Sequence, residues 1–160
     1  MQILHTNRLQ LRPIGMHDAA FMLKLINCPG FIRFIGDRHV RTIEQSMDYI
    51  ENMLANPAVT YWVIRLKTGE IPVGVVTWVQ RDFLPAPDLG YALLPEFEGN
   101  GYAFEASQAW LSYQKQPDTA VLAICQADNL ASIKLLTKLQ FDLDQTFEKD
   151  GHLMHQYSHQ

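Results

Sequence analysis

The stretch Asp88-Leu89-Gly90-Tyr91-Ala92-Leu93-Leu94-Pro95-Glu96-Phe97-Glu98-Gly99-Asn100-Gly101-Tyr102-Ala103-Phe104-Glu105-Ala106 decides how the rest of the chain is read. Its first part has the composition of a strand, its middle sets two glycines one residue apart, and its last part suits a helix. A strand that passes through such a loop into a helix brings several main-chain N–H groups to one point at the positive end of the helix. That geometry binds an anion. Small side chains at Gly99, Gly101 and Ala103 let a diphosphate approach the main chain closely. The same Gly-x-Gly spacing also serves as a plain tight turn. It is not a P-loop, because no Gly-Lys-Ser/Thr follows, and it lacks the placement of a dinucleotide fingerprint in a first strand–helix unit.

Outward from this stretch, a helix is expected over about 102–114 and a buried strand over 120–124. Strand, Gly-rich turn, helix and strand in sequence predict a parallel pair with a right-handed crossover. Upstream, strand-like segments at 61–66, 73–79 and 89–94 are separated by Thr68-Gly69-Glu70 and Pro85-Ala86-Pro87, which predicts an antiparallel meander. Before them come a strand around Leu9 and Leu11 that ends at Pro13, and a helix over 17–27 closed by Pro29-Gly30. A second helix starts at Thr42-Ile43-Glu44-Gln45, which has capping-box form, and Ile43, Met47, Ile50 and Leu54 mark its expected buried face. Downstream, Asp128 or Asn129 caps a helix that turns Leu135, Leu136 and Leu139 inward. Strands near 141–147 and 153–157 then flank a Lys149-Asp150-Gly151 turn. With 160 residues, 48% hydrophobic and 19% charged, the chain reads as one globular domain over 1–160, without repeats or linkers.

A formal net charge of -4 is the wrong sign for non-specific capture of nucleic acid. Main-chain donors need no net positive charge, so an acidic chain can still hold a phosphorylated cofactor. Cys28 and Cys125 form no Cys-x-x-Cys pair and fit unpaired structural thiols in a reducing cytoplasm. No apolar run reaches the ~20 residues needed to cross a bilayer, so no membrane partner is expected. His152, His155 and His159 are spaced to converge only on a helix, whereas their segment reads as a strand or tail, and no metal is expected.

Four segments in order, Thr6-Asn7-Arg8-Leu9-Gln10-Leu11-Arg12-Pro13, Asp88-Leu89-Gly90-Tyr91, Gly99-Asn100-Gly101-Tyr102-Ala103-Phe104-Glu105-Ala106 and Asn129-Leu130-Ala131-Ser132, carry a resemblance over nearly the whole chain. It resembles the GNAT superfamily of acetyl-CoA-dependent N-acetyltransferases, in particular the RimJ/RimL-like ribosomal-protein N-terminal acetyltransferase branch. The resemblance implies an α/β fold of α+β type, with a mixed, mostly antiparallel, splayed sheet of about seven strands flanked by four helices. It implies acetyl-CoA in the gap between the Asp88 strand and the 120–124 strand, with the pantetheine arm near Leu93 and Leu94. The diphosphate would lie over Glu98, Gly99, Asn100, Gly101, Tyr102 and Ala103. Asn129 would anchor the arm, or simply cap its helix. The family usually has Gln or Arg where this chain has Glu98; the acid is expected to turn outward, leaving only its amide to serve.

Acetyl transfer to an amine needs a neutral amine, a polarised thioester carbonyl and a proton for the leaving thiolate. Asp88 resembles in position the family's strand carboxylate base; read alone, it is equally a solvated carboxylate at a strand start. The family's leaving-group tyrosine is absent, because that position is Leu136. Ser132 resembles the serine of the RimL-like branch and is the candidate donor to sulfur. Glu105 is expected to stabilise the helix terminus or pack beside the loop. Phe31, Arg33, Phe34, Asp37 and Arg38 are the candidate acceptor groove, with surface ion pairing as the plainer role for the charges. Trp78 and Tyr91 are candidates for the acetyl pocket, or else core. The reading is an enzyme that moves an acetyl group to a primary amine, of a protein N-terminus or a small molecule, by direct attack in a ternary complex. It would work as a monomer or homodimer. The alternative is a non-catalytic acetyl-CoA-binding or sensing module.

Overall fold

In the computed structural model, which describes residues 2–114 and 119–160, eight strands form one sheet in the order β1-β2-β3-β4-β5-β6-β8-β7. The strands are β1 (Leu4–His5), β2 (Leu9–Pro13), β3 (Val59–Leu66), β4 (Pro72–Val79), β5 (Asp88–Leu93), β6 (Val121–Gln126), β7 (Asp142–Lys149) and β8 (His152–His159). The α-helices are α1 (Ala19–Ile26), α2 (Pro29–Phe34), α3 (Ile43–Ala55), α4 (Tyr102–Gln114) and α5 (Leu130–Lys138). The meander from β3 to β5 follows the expected antiparallel order, and β2 joins it antiparallel to β3.

The decisive irregularity is the join between β5 and β6. They are parallel, but they share a single register pair, Asp88 with Leu122, reinforced by Leu122 N–H donating to the Pro87 carbonyl at 3.0 Å. By contrast, β4 and β5 pair along the whole strand, from Val79 with Asp88 to Gly74 with Leu93. Beyond the one rung the sheet splays, as the family resemblance implies.

Side chains alternate across the sheet and build two cores. Leu9, Leu11, Trp62, Ile64, Leu89, Trp110, Leu136 and Tyr157 pack on the side of α4 and α5. Met22, Leu25, Ile26, Phe31, Ile50, Val63 and Val75 pack on the side of α1, α2 and α3. Trp110 of α4 meets the Trp62 ring at 4.7 Å and 61°, an edge-on contact that seats the helix.

The expected mixed, mostly antiparallel sheet flanked by helices is found, with eight strands and five α-helices among the described residues beside the about seven and four expected, and only local expectations are corrected. The additions are the two-residue β1 and the one-and-a-half-turn α2. Pro29-Gly30 opens α2 instead of only closing α1: Cys28 is extended, and Pro29 takes the first helical position, where a missing N–H costs nothing. The buried side of α3 is Ser46, Ile50 and Met53, while Ile43, Met47 and Leu54 are exposed. Ser46 Oγ donates to the Ala19 carbonyl at 2.8 Å, and this buried bond rotates α3 away from its apparent apolar stripe. Thr42 does cap α3, accepting from Gln45 N–H at 3.1 Å, and the Gln45 side chain reaches back to the N–H of Arg41.

One anchor has no counterpart in the sequence reading. Asp18 is buried and accepts from both terminal nitrogens of Arg12 at 2.8 and 3.1 Å and from Gly15 N–H at 2.9 Å, with Arg65 at 3.7 Å. It ties the turn before α1 to β2 and β3. Among the described residues no helix is long and apolar enough to cross a membrane.

Candidate active site

The loop between β5 and α4 begins with a 3-10 turn at Pro95–Phe97. Gly99 and Gly101 both lie in the left-handed region, at φ 77 and 80°, which side chains resist. The Asn100 side chain closes the loop by donating to the carbonyls of Phe97 and Glu98 at 3.2 and 3.1 Å. Among the described residues the N–H groups of Gly99, Asn100, Gly101, Tyr102 and Ala103 have no partner; regular helical bonding is joined by Glu105 N–H to the Gly101 carbonyl at 3.0 Å. The Glu98 amide differs from the expectation. It donates to the Pro95 carbonyl at 3.2 Å, so neither its amide nor its exposed carboxylate is available to an anion. A Cβ placed on Gly99 would meet nothing within 4 Å, so the loop is uncovered at this glycine. Free donors, a helix N-terminus and an uncovered glycine loop together fit a diphosphate.

Along β5 the pleat separates two sets of groups. Leu89, Tyr91 and Leu93 side chains face α4 and α5, whereas Ala92 packs with the α1–α3 side. The main chain alternates too. Leu94 N–H donates to the Val73 carbonyl at 2.8 Å, so its amide is committed to β4, and the groups of Leu93 point to the splayed edge. Of the two leucines expected near the pantetheine arm, Leu93 is therefore the one with main-chain groups to offer.

Across the gap, the Tyr91 hydroxyl donates to Ser132 Oγ at 3.0 Å. Burial pushes the Tyr91 phenol well above its ordinary range, against the smaller lowering by Ser132, so it stays protonated. Ser132 sits in the first turn of α5, where its N–H donates to Asn129 Oδ1 at 3.2 Å; Asn129 is thus the helix cap. Leu136, at the position of the family's tyrosine, is buried core.

Asp88 lies at the closed end of the gap and is 2% exposed, which corrects the picture of a solvated strand-start carboxylate. Arg81 Nε donates to its Oδ2 at 2.8 Å, while Oδ1 is buried without a partner. Burial raises the Asp88 pKa more than the Arg81 charge and hydrogen bond lower it. A Cβ on Gly90 would fall 2.3 Å from Thr77 Oγ1, so glycine there lets the threonine hydroxyl lie over β5.

The expected acceptor residues do not form one cluster. Phe31 is buried in the α1–α3 core, with the Arg38 guanidinium 5.8 Å from its ring centroid. Arg33 lies 4.6 Å over the Phe34 ring and 3.6 Å from Asp128. Asp37 is committed to Arg41 at 2.6 Å and to His39 N–H at 2.8 Å; those bonds hold its carboxyl at about 2. Trp78 stacks toward Trp110 at 6.4 Å and Tyr91 toward Ser132, both on the opposite side of the sheet from Phe31. Gln126 Nε2 donates to the Arg33 carbonyl at 3.0 Å and joins α2 to the end of β6. A cleft of about 390 Å³ opens there between Gln126, Ala127, Asp128, Gly151, His152 and Leu153. Arg81, Thr77 and Gln126 were not found from sequence, since none stands in a motif. Among the described residues no group of three or more His, Cys, Asp or Glu side chains is placed to hold a metal ion.

The profile of the acetyltransferase (GNAT) domain matches residues 8–142. The chain belongs to the GNAT acetyltransferase family. This GNAT chain is 28% identical over 166 residues to the uncharacterized N-acetyltransferase YoaA of Bacillus subtilis, covering 99% of this chain and 89% of that protein. Its fold matches the Salmonella typhimurium acetyl transferase that modifies the N-terminal serine of ribosomal protein L7/L12, with a TM-score of 0.82 at 18% identity over 99% and 98% of the two chains. It also matches the microcin C7 self-immunity acetyltransferase MccE, solved with acetyl-CoA and AMP, with a TM-score of 0.82 at 21% identity over 96% and 93%. At these identities the likeness is one of GNAT fold.

Proposed function

We propose that the chain is an acetyl-CoA-dependent N-acetyltransferase, a single catalytic domain of the cytoplasm that acetylates a primary amine by direct attack in a ternary complex. The observation that carries this reading is the set of free amides from Gly99 to Ala103 beside a sheet that opens from one rung. Those amides and the end of α4 would hold the diphosphate, and the gap-facing main chain of Leu93 would align the pantetheine arm. Acetyl-CoA supplies the activated thioester.

The pleat of β5 divides the chemistry. On one side Asp88, through its unpartnered Oδ1, takes a proton from the acceptor ammonium, directly or through water, and so frees the neutral amine that attacks the thioester carbonyl. On the other side Ser132 accepts from Tyr91 and is left with its own hydroxyl hydrogen to offer as a hydrogen bond to the departing thiolate. The base and the hydrogen-bond donor to sulfur thereby stand on opposite sides of the strand. The family likeness to RimJ/RimL-type enzymes favours a protein N-terminal amine, reached through the cleft by Gln126 and Asp128.

Glu98 and Leu136 favour a second reading, a non-catalytic acetyl-CoA sensor, since an acid borders the phosphate loop and the usual thiolate donor is absent. Calorimetry with acetyl-CoA, followed by free-thiol release with N-terminal peptides and small amines against a no-acceptor control, separates the two. Turnover lost in Asp88→Asn or Ser132→Ala excludes the sensor; binding without turnover on any acceptor supports it. Absence of acetyl-CoA binding defeats both readings.

A further inference from the structure

Two motifs that lie 97 positions apart in the chain meet behind the phosphate-binding loop. Glu105, one turn into α4, accepts from Thr6 Oγ1 at 2.5 Å and from Arg8 N–H at 2.8 Å through one oxygen, and from Arg8 Nε at 2.7 Å through the other. Burial tends to raise the Glu105 pKa, but the bonds from Thr6 and Arg8 and the Arg8 charge hold it below the ordinary value, so the carboxylate is ionised. The Arg8 guanidinium so fixed lies 4.6 Å from the Tyr102 ring centroid and donates from its other arm to the Asn100 carbonyl at 2.9 Å. Its remaining nitrogen is 3.4 Å from the point where a side chain on Gly101 would begin.

The consequence follows from the rigidity of the peptide unit. In a trans peptide the carbonyl of one residue and the N–H of the next point in opposite directions, and the plane does not twist cheaply. Drawing the Asn100 carbonyl back onto Arg8 therefore turns the Gly101 N–H forward, away from the protein body. The glycines at positive φ on either side of Asn100 add no side-chain constraint, and the Asn100 side chain ties back to the carbonyls of Phe97 and Glu98, so the bond from Arg8 is the one made to the Asn100–Gly101 peptide itself. The Arg8 charge is largely balanced by Glu105, which makes its fork-shaped geometry, more than its charge, the useful property.

We infer that Arg8, oriented by Glu105 and Thr6, is a positioning residue for cofactor binding: it aims the Gly101 amide at the coenzyme diphosphate. This rests on the acetyl-CoA reading proposed above. The N-terminal Thr6-Asn7-Arg8 segment then belongs to the cofactor site although it lies behind the loop.

The test compares wild type, Arg8→Met and Arg8→Lys for binding of acetyl-CoA, 3′-dephospho-CoA and pantetheine. The first two ligands carry the diphosphate and are measured by calorimetry. Pantetheine lacks it and is followed by NMR line broadening. Arg8→Met is expected to weaken both diphosphate ligands by about tenfold, the scale of one charge-assisted hydrogen bond, and to leave pantetheine unchanged. Arg8→Lys, which keeps the charge but loses the fork, is expected to fall within about threefold of Arg8→Met. Glu105→Gln gives a second route, with a smaller loss in the same direction, where Arg8→Met lowers the yield of folded protein. Full affinity in Arg8→Met, wild-type affinity in Arg8→Lys, or an equal loss for pantetheine would each overturn the inference while leaving the acetyl-CoA reading intact. Failure of the wild-type protein to bind acetyl-CoA would defeat that reading first.

Discussion

Gly99 and Gly151 form a matched pair of substitution sites. Both lie at nearly the same positive φ, 77 and 79°, and a Cβ on either would meet nothing within 4 Å. Alanine at each position therefore costs only the left-handed backbone penalty, roughly 1–2 kcal/mol. For a chain of this size that is a fall in Tm of about 2–8 °C, expected to be equal in the two variants. They differ in what the new methyl faces. Gly151 lies in the turn between β7 and β8, whereas Gly99 carries the first of the free amides, and an anion must come within about 3 Å of those amides to be bonded, a distance at which an added methyl on the loop crowds its approach. Acetyl-CoA affinity is expected to fall by at least about tenfold in Gly99→Ala and to hold in Gly151→Ala. Thermal unfolding with and without acetyl-CoA reads both effects. Ligand at 100 times Kd stabilises by about 2.7 kcal/mol, and a tenfold loss removes about half of it. The ligand-induced rise should thus shrink by about 3–5 °C in Gly99→Ala alone. An undiminished rise in Gly99→Ala would refute the amide-clamp argument, and unequal losses without ligand would refute the strain argument.

Asp88→Asn should lower kcat by about 10²- to 10⁴-fold while leaving acetyl-CoA affinity near wild type, measured by thiol release. Its stability profile has a definite sign. Because folding raises the Asp88 pKa, wild type loses stability as pH rises from near the unfolded value of about 3.9 through the folded pKa, and the asparagine variant lacks that loss. Urea unfolding across pH should show the variant gaining on wild type as pH increases. Ser132→Ala should reduce turnover by about tenfold or more and Tyr91→Phe by less, since Tyr91 acts through the serine; an effect on acetyl-CoA binding equal to that on turnover would count against the thiolate-stabilising role. Trp110→Ala, which empties a 2%-exposed site against Trp62, should cost about 3–5 kcal/mol in urea unfolding, and a loss under 1 kcal/mol would show that α4 is seated by other contacts.

How much of this was legible in the sequence depends on the range of the causes. The strands of the meander, the start of α4 at Tyr102 and the cap at Asn129 were readable because local periodicity, paired glycines and capping chemistry act within a few residues. The face of α3 was misread because Ser46 looks like a solvent residue until its partner, the Ala19 carbonyl, is known. The burial of Asp88 was hidden for a similar reason: the Pro85-Ala86-Pro87 turn suggests solvent, and Arg81, its ion partner, lies across that turn with no motif to mark it. That Asp88 and Tyr91 occupy opposite sides of β5 was available from the period of two. That Trp78 and Phe31 lie on different sides of the sheet was not, because it depends on how β4 registers with β5 and on where α2 lands. The Arg8 to Glu105 contact, between distant segments, is beyond any local pattern.

The solitary rung between Asp88 and Leu122 gives the molecule something like the spine of a book. One cover carries the phosphate loop and the other carries Ser132, and the angle at which they stand is set by the spine, the packing of α4 and α5, and two side-chain ties, Tyr91 to Ser132 and Gln126 to the Arg33 carbonyl. A ligand that bonds to both covers does part of the work a further row of rungs would do. Amide exchange along the inner edges should therefore slow on loading far more than exchange in the outer margins at β2 and β7.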